Sequence, residues 1–582
     1  MKKICNVVLC MMLGITLGCS SQPSTQETAD VIYTNALFYT ENEDDPEAEV
    51  LAVKDGKIIY VGDNDEDKIK SLTSSDTEII DLDGSFVTPG LLDAHSHPGM
   101  VSTTAWYVDI PDDCVTVDTI LDYVKSYCEE NSKEDYPFVY FEYYPSNLFD
   151  EEGPKKELID EVVDDRAILI EDFSDHACWV NSKFLEEIGI YEDGVLQAED
   201  AEFFIKDENG DFTGWIKEGV WKTYISNLYE ATNYYPPEEV TEETITPVLD
   251  DFTSWGVTGI MDAYTLSEEH VKTISDLDKA GKLNQYYELS YVMDTPEDLE
   301  DCLSTIHYLN DTYQTDHVKV DTLKIFYDGT NELGDAALID GWITDESQTG
   351  YIMMDTEETK NVIQRCNEEG IDVHFHMVGD LAFRQVCDAT EELKNEIGEL
   401  DIQVEVCHCE YVDPDDYDRP AELGIIVNWT PQWSGGYFGD GSKQYLGEER
   451  YNRMYQFNPM IESGAIVTFG SDIYSMYEEE RGNPYFGMQI GMTRVDIWDG
   501  VYDGERESED AKLSLEDLLK GYTINAAIQM RIDDVAGSLE VGKSANFNIY
   551  SENLFDVDVN EFKDILPTAV FFEGNLVSGS LS

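Results

Sequence analysis

The chain has 582 residues, 42% of them hydrophobic and 12% aromatic, a globular composition with enough apolar surface for a large core. Against 36 basic residues stand 123 acidic ones, a formal net charge of −87 spread along the whole length. Such a surface repels phosphate backbones and anionic head groups, which argues against nucleic acid or a bare bilayer as partner and leaves a small-molecule substrate.

At the N-terminus Lys2 and Lys3 precede an apolar stretch, Ile4 to Leu17, too short to span a bilayer. Residues 1–18 therefore read as an export signal peptide. It closes on Thr16-Leu17-Gly18-Cys19, similar to the bacterial lipoprotein cleavage box except at Thr16, where that box carries Leu, Val or Ile. Cys19 is the expected lipidation site, with 19–30 as a polar linker and the cell surface as destination; simple secretion is the alternative. Of eleven cysteines, Cys5, Cys10 and Cys19 lie in this region. The others follow no disulfide framework and read as free thiols.

Residues 31–86 form short strand-like runs, "VIYTNALFYT", "EVLAVKDGKIIYVG" and "EIIDLDGSFVT", with a hairpin signal at Lys54-Asp55-Gly56-Lys57. Residues 535–582 repeat the pattern in "GSLEVGKSANFNIYS" and "AVFFEGNLVSG". The two ends are expected to pair into one small β-sandwich beside a central domain, 87–534. There, eight apolar runs alternate with helix-length segments such as "TEETKNVIQRCNEEG". This is an α/β pattern, expected to close into a (β/α)8 barrel of the TIM type. One large gap, 101–255, separates the first two runs and is expected to form a cap over the barrel.

The first run ends in Asp93-Ala94-His95-Ser96-His97. Two imidazoles one residue apart share a strand face and can bind one metal ion; a plain surface or core pair is the alternative. The barrel bears on that choice, because chemistry in this fold lies at the C-terminal strand ends. His376 ends the fifth run, His408 the sixth and Asp472 the eighth, so four of the nine histidines sit at such ends. Lys324 lies inside the fourth run, on the inward face with Thr322, Phe326 and Asp328. A buried amine needs a reason. Either it is ion-paired or snorkels to solvent, or carbon dioxide has carboxylated it and the carbamate bridges two metal ions. Cys407 and Cys409 flank His408, but strand parity points both away from its side and argues against them as ligands. Asp472 is either a helix N-cap or, beside the first strand in a closed barrel, a metal ligand and general base.

"NALFYT", "AVKDGKIIYVG" and "IDLDGSFVTPGLLDAHSH" at the start, "DHACWVNS", "TGWIKEG", "KIFYDGT", "HMVGD", "VCHCEYVDPDD" and "GSD" between, and "GYTINAA" and "GSLEVGKSANFNIYS" at the close stand in a telling order. From about residue 30 to residue 580 the chain resembles the amidohydrolase superfamily of metal-dependent hydrolases, in particular the branch typified by N-substituted formamide deformylases. The resemblance implies His95, His97, Lys324, His376, His408 and Asp472 as ligands of one or two divalent ions, zinc foremost. It also implies that His176, carried by the cap, reaches over the site as a catalytic residue; a packed structural histidine is the alternative. The chain departs from the family pattern in "CHCE", in His374 as an extra inward imidazole able to compete as ligand, and in Asn546 where the family has Asp.

The expected function is an exported hydrolase that cleaves a non-peptide carbon–nitrogen bond with metal-activated water, whose pKa falls from 15.7 to about 7–9. Asp472 would carry the proton to the leaving nitrogen. Trp179, Trp429 and Trp433 would line the pocket or belong to the core. An ester or lactone hydrolase on the same site, or a solute-binding lipoprotein, are the competing readings.

Overall fold

Eight parallel strands follow one another in chain order around a barrel: Leu91–Ser96, Val257–Asp262, Tyr286–Met293, Val318–Phe326, Asp372–Met377, Val404–His408, Ile426–Trp429 and Val467–Phe469. The computed structural model describes residues 28–581, apart from 105, 112–113, 146–147, 150–151, 175, 193, 199, 238, 436–439, 498–505 and 507–510. The expected signal peptide and Cys19 lie outside the described residues. All eight apolar runs became the barrel strands. Buried on both faces, such strands need apolar residues at nearly every position.

No regular ladder joins the eighth strand to the first among the described residues. Individual bonds close the seam instead: Asp472 N donates to His95 O at 2.8 Å, and Ser471 N to the Asp93 carboxylate at 3.1 Å. The barrel is completed by the very residues that end in its mouth.

Helices cover the outside where the sequence marks them. Thr356–Glu369 starts at Asp355, whose carboxylate accepts from Glu358 N while Glu358 returns the bond, and it ends at Gly370 with φ 72°. That is a reciprocal N-terminal cap and a left-handed glycine stop. Its Val362 and Ile363 pack in the same core as Leu323 and Ile325 of the fourth strand, which leaves Lys324 pointing inward.

The chain ends share one sheet of seven strands: Val31–Tyr39, Glu47–Lys54, Lys57–Gly62, Glu78–Pro89, Phe547–Tyr550, Ala569–Phe572 and Asn575–Gly579. It curls over so that its own face packs on itself, with Tyr33 5.2 Å from Phe547 and 5.6 Å from Phe571. The expected sandwich is therefore a single folded sheet. Between this sheet and the barrel stands Gly90. A Cβ there would lie 2.3 Å from Thr258 Oγ1, so only glycine lets the two units approach.

The segment between the first two barrel strands builds its own six-stranded sheet, from Val108–Asp109 to Phe212–Lys217, with apolar clusters on its faces. Trp179 is fully buried there, and Trp429 is buried in the barrel core, so neither lines the cavity at the barrel mouth. No disulfide joins two cysteines among the described residues. Among those residues no helix is long and apolar enough to cross a membrane.

Candidate active site

At the C-terminal mouth of the barrel, His95 and His97 meet Asp472. His97 Nε2 lies 2.9 Å and His95 Nε2 3.3 Å from Asp472 Oδ1, while His408 Nδ1 lies 3.4 Å from Oδ2. The Asp472 backbone is left-handed, φ 52°, and the next helical turn starts only at Met476. The carboxylate therefore caps no helix. His376 packs edge-on against His408, ring centroids 4.5 Å apart, and its Nε2 is a buried nitrogen with no hydrogen-bond partner.

Lys324 is 1% exposed. Its Nζ lies 3.4 Å from His95 Nε2 and 3.4 Å from Cys407 Sγ, and no carboxylate pairs with it among the described residues. Neither the ion-paired nor the solvent-reaching alternative describes this side chain.

Cys407 departs from the parity expectation. Strand pairing sets Glu405 opposite His374 and Cys407 opposite His376, all on the inward face. The alternation then breaks, because His408 and Cys409 take left-handed backbones, φ 70° and 42°. That turn swings His408 into the site as well. Cys407 thus joins His95 and His374 in a second cluster of potential metal donors, all within 4.8 Å of one another. Cys409 is buried in the core, as expected of a non-ligand.

His374 lies behind His95 instead of beside it. His95 Nδ1 and His374 Nε2 share a hydrogen bond of 2.8 Å, and His374 Nδ1 and Glu405 Oε2 one of 2.6 Å. This chain fixes the His95 ring with Nε2 turned toward Asp472 and Lys324, the usual arrangement behind a metal-binding imidazole.

Burial, reinforced by the Lys324 charge, holds His95, His374 and His376 well below the ordinary histidine range. Burial and then the neighbouring His376 do the same to His408. Such rings favour the neutral form, in which His95, His376 and His408 each keep a lone pair for coordination. Burial pushes Asp472 up, but His408, His97 and Lys324 outweigh it and leave the carboxyl below its usual range. Neutral imidazoles, an ionised carboxylate and the orphaned His376 Nε2 converge as a divalent ion requires.

Over them opens a cavity of about 760 Å³. His176 reaches it from the cap, its ring 5.9 Å from that of His376 and its Nδ1 3.0 Å from Glu218 Oε2. Trp433 lines the wall, stacked on His408 at 5.2 Å. All six expected donors and His176 line this one cavity.

Several polar residues here were given no role in the sequence. Asp328 accepts backbone N–H bonds from Ala337, Val378 and Gly379 at 2.9, 2.8 and 2.9 Å, tying the loops after the fourth and fifth strands together. Its signal was the Asp-Gly that ends the fourth run. Glu218, Glu332, Glu405 and Glu410 also face the interior or the cavity, but single acids among 123 carry no mark.

A model of the amidohydrolase family matches residues 78–578. The chain belongs to the amidohydrolase family. It is accordingly an enzyme, a metal-dependent amidohydrolase, and the solute-binding alternative falls. An N-substituted formamide deformylase of Arthrobacter pascens is 23% identical over 577 residues, 94% of this chain and 98% of that one. The amidohydrolase YtcJ of Bacillus subtilis (strain 168) is 25% identical over 534 residues, 90% and 95% of the two chains. Among solved structures, an uncharacterized metal-dependent hydrolase from Pyrococcus horikoshii OT3 superposes with a TM-score of 0.65 at 20% identity, covering 91% of this chain and 99% of that one. That likeness bears on the fold alone.

Proposed function

We propose that this amidohydrolase cleaves a non-peptide carbon–nitrogen bond, an N-acyl or N-formyl amine, in a small molecule. The observation that carries the reading is the convergence of three histidines on the Asp472 carboxylate, with His376 packed on one of them, beside a buried lysine at the floor of the cavity. The formamide activity named for the Arthrobacter relative supports the amide class.

His95, His97, Lys324, His376, His408 and Asp472 would hold one or two divalent ions, zinc by the preference of imidazole and carboxylate donors, with Lys324 contributing as a carbamate. Bound there, zinc supplies Lewis acidity and a nucleophile at neutral pH. The remaining work falls to the chain. Asp472 takes the proton of the attacking water and returns it to the leaving nitrogen. His176, steadied by Glu218, contacts the substrate carbonyl oxygen and stabilises the charge that develops there. His374 and Glu405 keep the His95 ring in place, and Trp433 with the cap keeps bulk water out.

The test is a panel of formamides, N-acyl amines, esters and lactones, assayed after chelation and again with added zinc. Zinc-restored turnover of the amides is expected. Turnover of esters or lactones with the amides untouched would reassign the substrate class on the same site.

We also propose that the protein is exported and anchored through Cys19, from the charged and apolar signal and the box that closes it. Cys19→Ser should release it from membranes and abolish lipid labelling. Wild-type protein already free in the medium would contradict the anchor.

A further inference from the structure

Among the acids of the cavity wall beyond the histidines, Glu332 and Glu410 are deeply buried and form no ion pair among the described residues. Glu332 and Glu410 are 7% and 4% exposed. Glu332 Oε1 accepts from Ser442 Oγ at 2.6 Å, Glu410 Oε2 accepts from Asn331 Nδ2 at 2.9 Å, and neither forms an ion pair among the described residues. Arg506 is near enough for its charge to favour both, but it donates to Gly435 O and Tyr451 O and stacks on the Tyr451 ring. Asn331, the residue before Glu332, holds the Glu410 carboxylate with its side chain, which brings the two acids together. Two like carboxyls buried side by side are costly unless something cationic joins them.

A second observation, independent of the acids, points the same way. Thr330 lines the same cavity at 6% exposure, and its Oγ1 has no hydrogen-bond partner. Both carboxylates are tied to the reacting end: Glu410 lies two residues beyond His408, and Glu332 follows the strand that carries Lys324. Trp433 lines the same cavity.

We propose that Glu332, Glu410 and Thr330, beside Trp433, form a subsite for a cationic nitrogen of the substrate, a guanidinium or alkylammonium group. This rests on the reading that the scissile bond lies over the histidine cluster. A guanidinium or ammonium brings the N–H donors that two carboxylates and a hydroxyl lack, and its charge relieves their repulsion. An anionic substrate would be repelled from the same wall. The substrate class narrows to amides whose amine or acyl part carries a second, protonated nitrogen.

Calorimetric titration of the zinc-loaded full-length protein with 2-phenylethylguanidinium, and with the neutral isostere 2-phenylethylurea, tests this without hydrolysis. The guanidinium should bind at least about tenfold tighter, and Glu332→Gln/Glu410→Gln should erase the difference. Each single Gln variant should erase part of it, and Thr330→Val should weaken the guanidinium selectively, with thermal melts confirming folded protein. Equal affinity of the two probes in the wild type would overturn the subsite, and that comparison needs no variant. A guanidinium preference that survives the double substitution would also overturn it, as general attraction to an acidic surface. Guanidinium selectivity without turnover of any amide would keep the subsite and remove the amide reading; turnover of neutral formamides without selectivity would do the reverse.

Discussion

Asp472 holds a left-handed backbone, lies beside His97, His95 and His408 and caps nothing. Asn shares its size and its tolerance of that backbone, so Asp472→Asn should fold normally. It cannot take a proton from water, and turnover should fall about 10²–10⁴-fold. Near-wild-type turnover with an unchanged melt would remove Asp472 from proton transfer. His374 gives a separate test. As the residue behind His95 it should, on His374→Ala, lower zinc affinity about 10–100-fold while stoichiometry at saturating zinc stays the same. Titration against a chromophoric chelator reads both, and a drop in stoichiometry would make His374 a ligand. His95, His97, His376 and His408 were legible because histidine is scarce and each closes an apolar run. Cys407 was misjudged because strict alternation was carried one residue too far: a left-handed turn at a non-glycine residue leaves no compositional trace.

Barrel strands and capped helices were legible as elements because burial on both faces and reciprocal N-terminal caps write themselves into consecutive residues. The handover at Gly90 was not. The run from Phe86 to His97 looks continuous, yet it divides between two sheets at that glycine. Gly90→Ala should cost about 1–3 kcal/mol through collision with Thr258, and Thr258→Ala should recover part of it. Additive melts in the double variant would contradict the contact. A second joint between units is His317, whose Nδ1 meets Asp278 Oδ1 at 2.7 Å and whose Nε2 meets Glu573 Oε1 at 3.4 Å. The hydrogen bond to Asp278, then that to Glu573, raises its pKa from 6.5 to about 9. A raised folded-state pKa stabilises fully below the unfolded value, so this contribution is complete below 6.5 and is lost as pH rises to about 9. His317→Gln should therefore cost about 1.5–3 kcal/mol at pH 6 and little at pH 10. A cost independent of pH would mean the ring acts by packing alone.

At the scale of the molecule, a net charge of −87 sets the solution behaviour. Self-repulsion is screened by salt, so the melting temperature should rise by something on the order of several kelvin from low to physiological ionic strength. A flat response would mean that the charge is already compensated by bound cations. The place of the cap was legible from a gap in the alternation of runs. Its six-stranded sheet was not, because its strands are short and interrupted by acidic loops. The central claim is that His95 and its neighbours hold the metal that makes the chain a hydrolase. Elemental analysis of purified wild-type protein and His95→Ala, each desalted and checked by thermal melt, tests it most directly. The expected result is about one to two equivalents of a divalent ion, zinc foremost, in the wild type and most of it lost in the variant. Full retention in a folded His95→Ala protein would contradict the claim.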